Sequence, residues 1–473
     1  MKSEKYDIVI GLEVHAELST KSKLFCACKN DTFTSPANEN TCAVCLAKVD
    51  STHKRCNRAA VEKTVLAGRA LGCKINDFCY FERKHYEYPD LPGGFQTTQD
   101  KKPICLGGGI ILKSGKTIRL NRIHLEEDAG KLIHDEVAGE TLVDLNRAGV
   151  PLNEIVTEPD LSSAAEAVEF LEELRSRLIF AGVANCRMEE GGMRCDVNIS
   201  LKPAESKTLG ARVELKNLNS FKMVARAIEY EARRQAEVLD AGGRVAVETR
   251  KWNDAAGKST AMRTKEQAQD YNYIPDPNLP EIILEGFEVT LPTLAHQYRE
   301  KFTTEYKLPP YDAEVLTREK YICDFFLKSV ELLNEPKKVS NWLMTDILKL
   351  VTTAEIKITP KQFTDVIKMT DARKITRQNA IVLFERLWGT QDDAEILAKK
   401  LKIYGGISRE EIESILNELF AANPNAIADY KTTPDKVINF FMGQTMKRTA
   451  GMADSAVTKE LILAALDPST GSG

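Results

Sequence analysis

Two sets of residues in this chain have the types and spacing to do chemistry. The first is thiol. FCACKN and TCAVC supply Cys26, Cys28, Cys42 and Cys45, a CxC and a CxxC separated by thirteen residues. Two close pairs joined by a short loop are how tetrahedral Zn²⁺ sites are assembled, with thiolates as soft ligands. Four cysteines close the coordination sphere and leave no position for water, so the expected ion is structural. Cys56, Cys73, Cys79, Cys105, Cys186, Cys195 and Cys323 have no such spacing and read as packing residues.

The second set is acidic. In YDIVIGLEVHAEL (6–18) the alternation of a strand puts Glu13, His15 and Glu17 on one face, with Ile8, Ile10, Leu12, Val14, Ala16 and Leu18 on the other. GMRCDVNISL (192–201) sets Arg194, Asp196, Asn198 and Ser200 against Met193, Cys195, Val197, Ile199 and Leu201. ARVELKNL (211–218) sets Arg212, Glu214 and Lys216 against Val213 and Leu215. RIHLEEDAGK (122–131) is less regular, and a bulge there would turn either Glu126 or Glu127 inward.

If these strands share a sheet, one face gathers Glu13, His15, Glu126 or Glu127, Asp196 and Glu214. Like charges that close repel unless cations neutralise them, and hard oxygen ligands suit Mg²⁺. The competing reading is a solvated face, which more usually mixes in Lys, Thr and Gln.

SGKT (114–117) imitates the end of a phosphate-binding loop, but Ile110 stands where that loop requires glycine and the segment reads as a hairpin turn. GGG (107–109) precedes a strand, which excludes a dinucleotide fingerprint. A nucleotide here is therefore expected to be held by metal and by side chains, with Arg83, Lys84, Lys216 and Arg263 as candidates. No nucleophile motif of the G-x-S-x-G type is present.

The elements that position these residues fall into an α+β arrangement. Strand alternation and most Gly, Pro and Cys lie in residues 1–290, and PDPNLP (275–280) reads as the exit from that domain. Helical periodicity follows at 321–335, 361–370 and 378–388, then at 409–422, 433–449 and 458–466. The expected domains are 1–290, 291–405 and 406–473, with the STGSG terminus left out of fold reasoning. At 473 residues, 43% hydrophobic and 28% charged, the chain has the composition of a water-soluble globular protein, and no apolar run is long enough to cross a bilayer. MKSEK runs straight into the first strand with no room for a targeting peptide, and eleven cysteines without a secretion signal argue for reduced thiols. The expected location is the cytoplasm, away from membranes. A net charge of −4 neither advertises nor excludes a nucleic-acid partner.

Nine motifs run in order over the first 280 residues: IGLEVHAELSTKSKLFC, CAVCL, YEYPDLPGGFQTTQ, HLEEDAGK, DLNRAGVPLNEIVTEPD, MEEGGMRCDVNISL, VELKNLNSF, ETRKWN and MRTKEQAQDYNYIPDPNLP. Together with FFMGQTMKRTAGMAD (440–454) they closely resemble the B-subunit family of the aspartyl/glutamyl-tRNA amidotransferases. The resemblance implies an antiparallel-sheet cradle domain related to glutamine synthetase, then a helical domain and a small helical tail that binds tRNA. It implies that ATP phosphorylates the side-chain carboxylate of Glu-tRNA(Gln) or Asp-tRNA(Asn). Ammonia from a glutaminase A subunit then forms the amide, and a small C subunit completes a heterotrimer. It places Mg²⁺-binding and catalytic roles on Glu13, His15, Glu126 and Glu127, and more loosely puts Glu189, Glu190, Asp196, Glu214 and Lys216 in the same pocket. The alternative is a zinc-containing tRNA-binding scaffold without catalysis.

Two departures stand out. AKVDSTHKRCN (47–57) replaces the family's Gly-Pro-rich stretch beside the cysteines, and Gly93 stands where a lysine is common. Residues 357–402 hold ten Lys/Arg against six Asp/Glu, and Lys447 and Arg448 are the favoured tRNA contacts in the tail.

Overall fold

The computed structural model describes residues 5–48, 54–135, 139–206, 208–264, 271–405, 407–449 and 451–466. The side chains of Arg263, Thr264 and Lys431 lie outside that description, as do the STGSG terminus and the middle of the 47–57 loop. Among the described residues no helix is long and apolar enough to cross a membrane. The chain divides into two compact units, Met1–Ala295 and His296–Gly473.

The first unit is built on a ten-stranded sheet whose centre is the Tyr6–Glu17 strand. That strand runs antiparallel to Met193–Pro203 on one side and to Pro151–Thr157 on the other. Thr117–Glu127 follows beyond Pro151–Thr157, and Val213–Leu218 beyond Met193–Pro203. The charged strands recognised by alternation therefore do share one sheet. The hairpin turn over SGKT is present, with Gly115 N–H donating to Leu112 O at 2.8 Å and strands on either side.

The sheet is not purely antiparallel. Val213–Leu218 and Glu248–Asn253 pair in parallel, so the sheet is mixed. The reason is the intervening helix Phe221–Asp240, which returns the chain to its starting edge before the next strand begins, as a parallel pair requires. Helices Arg58–Ala70, Ala164–Phe180 and Phe221–Asp240 cover the apolar side of the sheet, each started by a side-chain cap, from Asn57, Ser163 and Ser220 respectively. Ile10, Leu12, Val14, Val197, Ile199, Leu174 and Phe170 are fully enclosed there. With its back filled, the sheet can turn only its polar face toward ligands.

A smaller three-stranded sheet, Asn272–Pro275 with Glu82–His85 and Phe95–Thr98, packs beside the Thr117–Glu127 strand.

The second unit is helical, as the periodicity predicts. Lys320–Leu333, Pro336–Trp342, Pro360–Asp371, Arg377–Leu387 and Ala394–Lys400 enclose Phe326, Phe363 and Phe384. Arg409–Ala422, Pro434–Arg448 and Ser455–Leu466 close a cluster of their own around Ile412, Leu416, Val437, Phe441 and Ile462.

Candidate functional site

The register of the central strands explains the site. Glu13 lies opposite Asp196 on one neighbour, and His15 lies opposite Glu154 on the other. One strand further, Glu154 lies opposite His124, two residues from Glu126. Because side chains at paired positions share a face, these strands bring four carboxylates and two imidazoles together. His15 Nε2 stands 3.3 Å from Glu154, 3.7 Å from Glu13 and 3.9 Å from Glu126. His124 Nε2 stands 3.3 Å from Glu126 and 3.7 Å from Glu154. Donor atoms of Glu13, His15 and Asp196 lie within 4.8 Å of one another, as do those of His15, Glu126 and Glu154.

Electrostatics in this pocket follow from burial. Loss of water, then the charge of Glu154, push the Glu13 carboxyl up to about 7. Burial alone would lower the His15 pKa, but the hydrogen bond and charge of Glu154, with Glu126 behind, hold it up at about 9. Lys216 supplies a further cation, 2.5 Å from Asp196 and 3.0 Å from Glu214, which also accepts a hydrogen bond from Thr249 at 2.7 Å. A second acidic pair adjoins: Glu17 is raised to about 7 by burial and by Asp128, which is itself held by Arg194.

Glu126 and Glu127 point to opposite sides of their strand. Glu126 is 2% exposed and accepts a hydrogen bond from Thr98 Oγ1 at 2.9 Å. Glu127 instead accepts from Thr97 N–H at 2.9 Å and stands 3.3 Å from Lys54. It faces a cavity of about 390 Å³ lined by Phe25, Cys45, Lys54, Phe95 and Gly93.

The nucleotide candidates sit in different settings. Arg83 donates to both oxygens of Asp276, at 3.0 and 3.1 Å, tying the small sheet to the PDPNLP turn. Lys84 lies 4.5 Å from the centre of the Tyr271 ring; burial opposes its charge, but Tyr273, Glu126 and Glu154 raise its pKa. Arg263 lies outside the described side chains. Glu190 pairs with Arg187 on the turn at Met188–Glu190, and Arg448 pairs with Glu418 at 2.7 Å.

The cysteine loop also converges. The sulfurs of Cys26, Cys28, Cys42 and Cys45 lie within 4.8 Å of one another, and those of Cys42 and Cys45 are 3.9 Å apart. Zn–S bonds of about 2.3 Å in a tetrahedron set sulfurs about 3.8 Å apart, so this donor set fits zinc. The oxygen-rich set around His15 fits Mg²⁺ by the hardness of its donors.

Sequence reasoning missed Glu154 and did not single out His124 as a site residue. Glu154 sits between Leu152 and Val156 on a strand buried almost throughout, which hid its parity. The signal was the single ionisable side chain of PLNEIVT.

A family model described as the GatB/GatE catalytic domain matches residues 8–289, and one described as the GatB domain matches residues 324–466. The chain belongs to this family, the B subunits of the tRNA-dependent amidotransferases. Similar proteins, each named as the B subunit of an aspartyl/glutamyl-tRNA(Asn/Gln) amidotransferase, occur in several bacteria. The one from Thermoanaerobacter pseudethanolicus is 42% identical over 471 residues, covering 97% of this chain and 98% of that protein. Those from Symbiobacterium thermophilum and Carboxydothermus hydrogenoformans are 43% and 38% identical, each covering at least 97% of this chain and 98% of that protein.

Proposed function

We propose that this chain amidates Glu-tRNA(Gln) or Asp-tRNA(Asn) as one member of a heterotrimer with a glutaminase A subunit and a small C subunit. The observation that carries the reading is the convergence of Glu13, His15, Glu126, Glu154 and Asp196 in one pocket of a chain of this family. Hydroxide is a poor leaving group, so the substrate carboxylate needs activation before ammonia displaces it. Phosphoryl transfer from ATP supplies that, and it demands positioning and charge neutralisation more than covalent help.

Glu13, Glu126, Glu154 and Asp196 would hold Mg²⁺, which when bound neutralises phosphate charge. His15 would fix the orientation of Glu154 by donating a hydrogen bond from Nε2, which stands 3.3 Å from that carboxylate. Lys216, between Asp196 and Glu214, is positioned to meet anionic oxygen. The four cysteines would hold structural Zn²⁺ and so shape the loop beside Glu127. The tail from residue 406, with Lys447 exposed on its surface, would contact tRNA phosphates. A scaffold without catalysis gains no support from this arrangement: clustered buried carboxylates repel one another and weaken a fold that has no use for them.

The test uses the assembled complex with ammonium chloride in place of glutamine, Mg-ATP and either tRNA, following ADP and amidated product. Glu13→Ala and His15→Ala are each expected to lower amidation by about 10²-fold or more while tRNA binding persists. Full activity in both variants would remove the pocket from the chemistry.

A further inference from the structure

We infer that Lys23 is the charge-balancing cation of the four-cysteine metal centre, a positioning residue for the ion. This rests on the zinc reading of the cysteines. Lys23 is fully buried, an uncommon state for a lysine, and its ammonium must find partners inside the protein. Its Nζ donates to Leu145 O at 3.3 Å and reaches Cys45 Sγ at 3.7 Å. Among the described residues no ion pair with a carboxylate is found at Lys23, so the sulfur of Cys45 is its anionic counterpart.

The local chain is shaped for this meeting. Lys23 N–H donates to Cys28 O at 3.0 Å, and Leu24 N–H donates to Gly149 O at 2.8 Å. Gly149 takes φ +84°, and a Cβ there would lie 3.5 Å from Cys45 Cβ and 3.8 Å from Lys23 Cδ. The glycine turn thus seats the two side chains against one point. Cys45 further accepts the Cys42 N–H at 3.2 Å.

A dication held by four thiolates keeps a surplus of negative charge, which costs energy because these cysteines are partly withdrawn from water. The backbone N–H on Cys45 offsets part of it as a dipole, and Lys23 offsets more as a full charge on the same sulfur. The neighbouring Lys54 has no such role, since its ammonium pairs with Glu127 and Thr97.

The experiment compares wild type, Lys23→Met, Lys23→Arg and Lys54→Met as full-length chains. It reads zinc per chain by elemental analysis, zinc transfer to a coloured chelator, and the thiolate-to-metal band after cobalt(II) substitution. Lys23→Met is expected to yield zinc about 10- to 100-fold more readily, as loss of an outer partner of a metal ligand does. Lys23→Arg and Lys54→Met should hold it as wild type does. Equal retention by Lys23→Met, or loss in Lys23→Arg to the same extent, overturns the inference. Should Lys23→Met fail to fold, Lys23→Arg decides: retained zinc supports charge balance and lost zinc overturns it. A wild-type chain without zinc overturns the cysteine reading and this inference with it, whereas a zinc-replete Lys23→Met chain overturns this inference alone.

Discussion

Adjacent acidic residues on a strand cannot share a task, because the pleat sends them to opposite sides. Glu126 joins His15, His124 and Glu154, while Glu127 meets Lys54 and the Thr97 amide. Their neutral amides should therefore behave differently. Glu126→Gln removes charge from the proposed Mg²⁺ set, so the Mg²⁺ concentration for half-maximal amidation should rise about 10-fold or more. Glu127→Gln leaves that set intact but strips Lys54 of its counter-charge, and should cost stability of about 1–3 kcal/mol, read as a lower thermal midpoint. Glu13, His15, Asp196 and Glu214 were legible because each recurs at period two against a clean apolar face. Which of Glu126 and Glu127 faces the histidines was not legible. Along Thr117–Glu127 the apolar residues change parity, from Ile118 and Leu120 to Ile123 and Leu125, and only pairing with Pro151–Thr157 fixes the face. Lys23 was equally hidden, since nothing in TKSKLFC marks one lysine as buried.

At the scale of elements, one departure from simple alternation occurs where Met193–Pro203 meets Val213–Leu218. The register shifts between Cys195 and Val197, and Asn217 takes φ +69° as the extra residue. Its side chain donates to Trp252 O at 3.0 Å, joining the bulge to the parallel neighbour. Asn217→Ala loses that hydrogen bond and places a residue poorly suited to the left-handed region, so it should cost about 1–2 kcal/mol. Asn217→Gly keeps the conformation and should cost less; comparing the two midpoints of unfolding checks the assignment. The parallel pairing itself was not visible in the sequence. ETRKWN shows no alternation that distinguishes parallel from antiparallel neighbours, and the crossover helix decides the direction.

Across the whole molecule, the helical unit was the most readable part. Each of the six segments read from periodicity lies within a few residues of a helix, as at Arg409–Ala422, because a 3.6-residue period over several turns is hard to mistake. Short helices such as Pro310–Leu316, Pro336–Trp342 and Ala394–Lys400 span too few turns to show one and went unread. The three-domain division remains our proposal; the cluster around Phe441 gives the tail an enclosed core of its own. Phe441 packs edge-on against Phe420 at 4.7 Å, and Phe441→Ala should cost about 3–5 kcal/mol. If the tail serves tRNA, that variant should raise the tRNA concentration needed for amidation while zinc content stays at the wild-type level.

The placement of the Tyr6–Glu17 strand also sets a timetable. It is made well before its partners, residues 151–157 and 193–203. At about 5–20 residues per second, a ribosome needs roughly 10–40 s to supply the second partner. Until then this strand, apolar on one face, has at least one edge unpaired, the condition that invites misassociation and chaperone capture. The proposed metal pocket closes later than anything local, since Glu13 must wait for Asp196 and Glu214. Ribosome-bound chains stalled short of residue 193 should expose this strand to protease, and chains extended well past residue 218 should protect it.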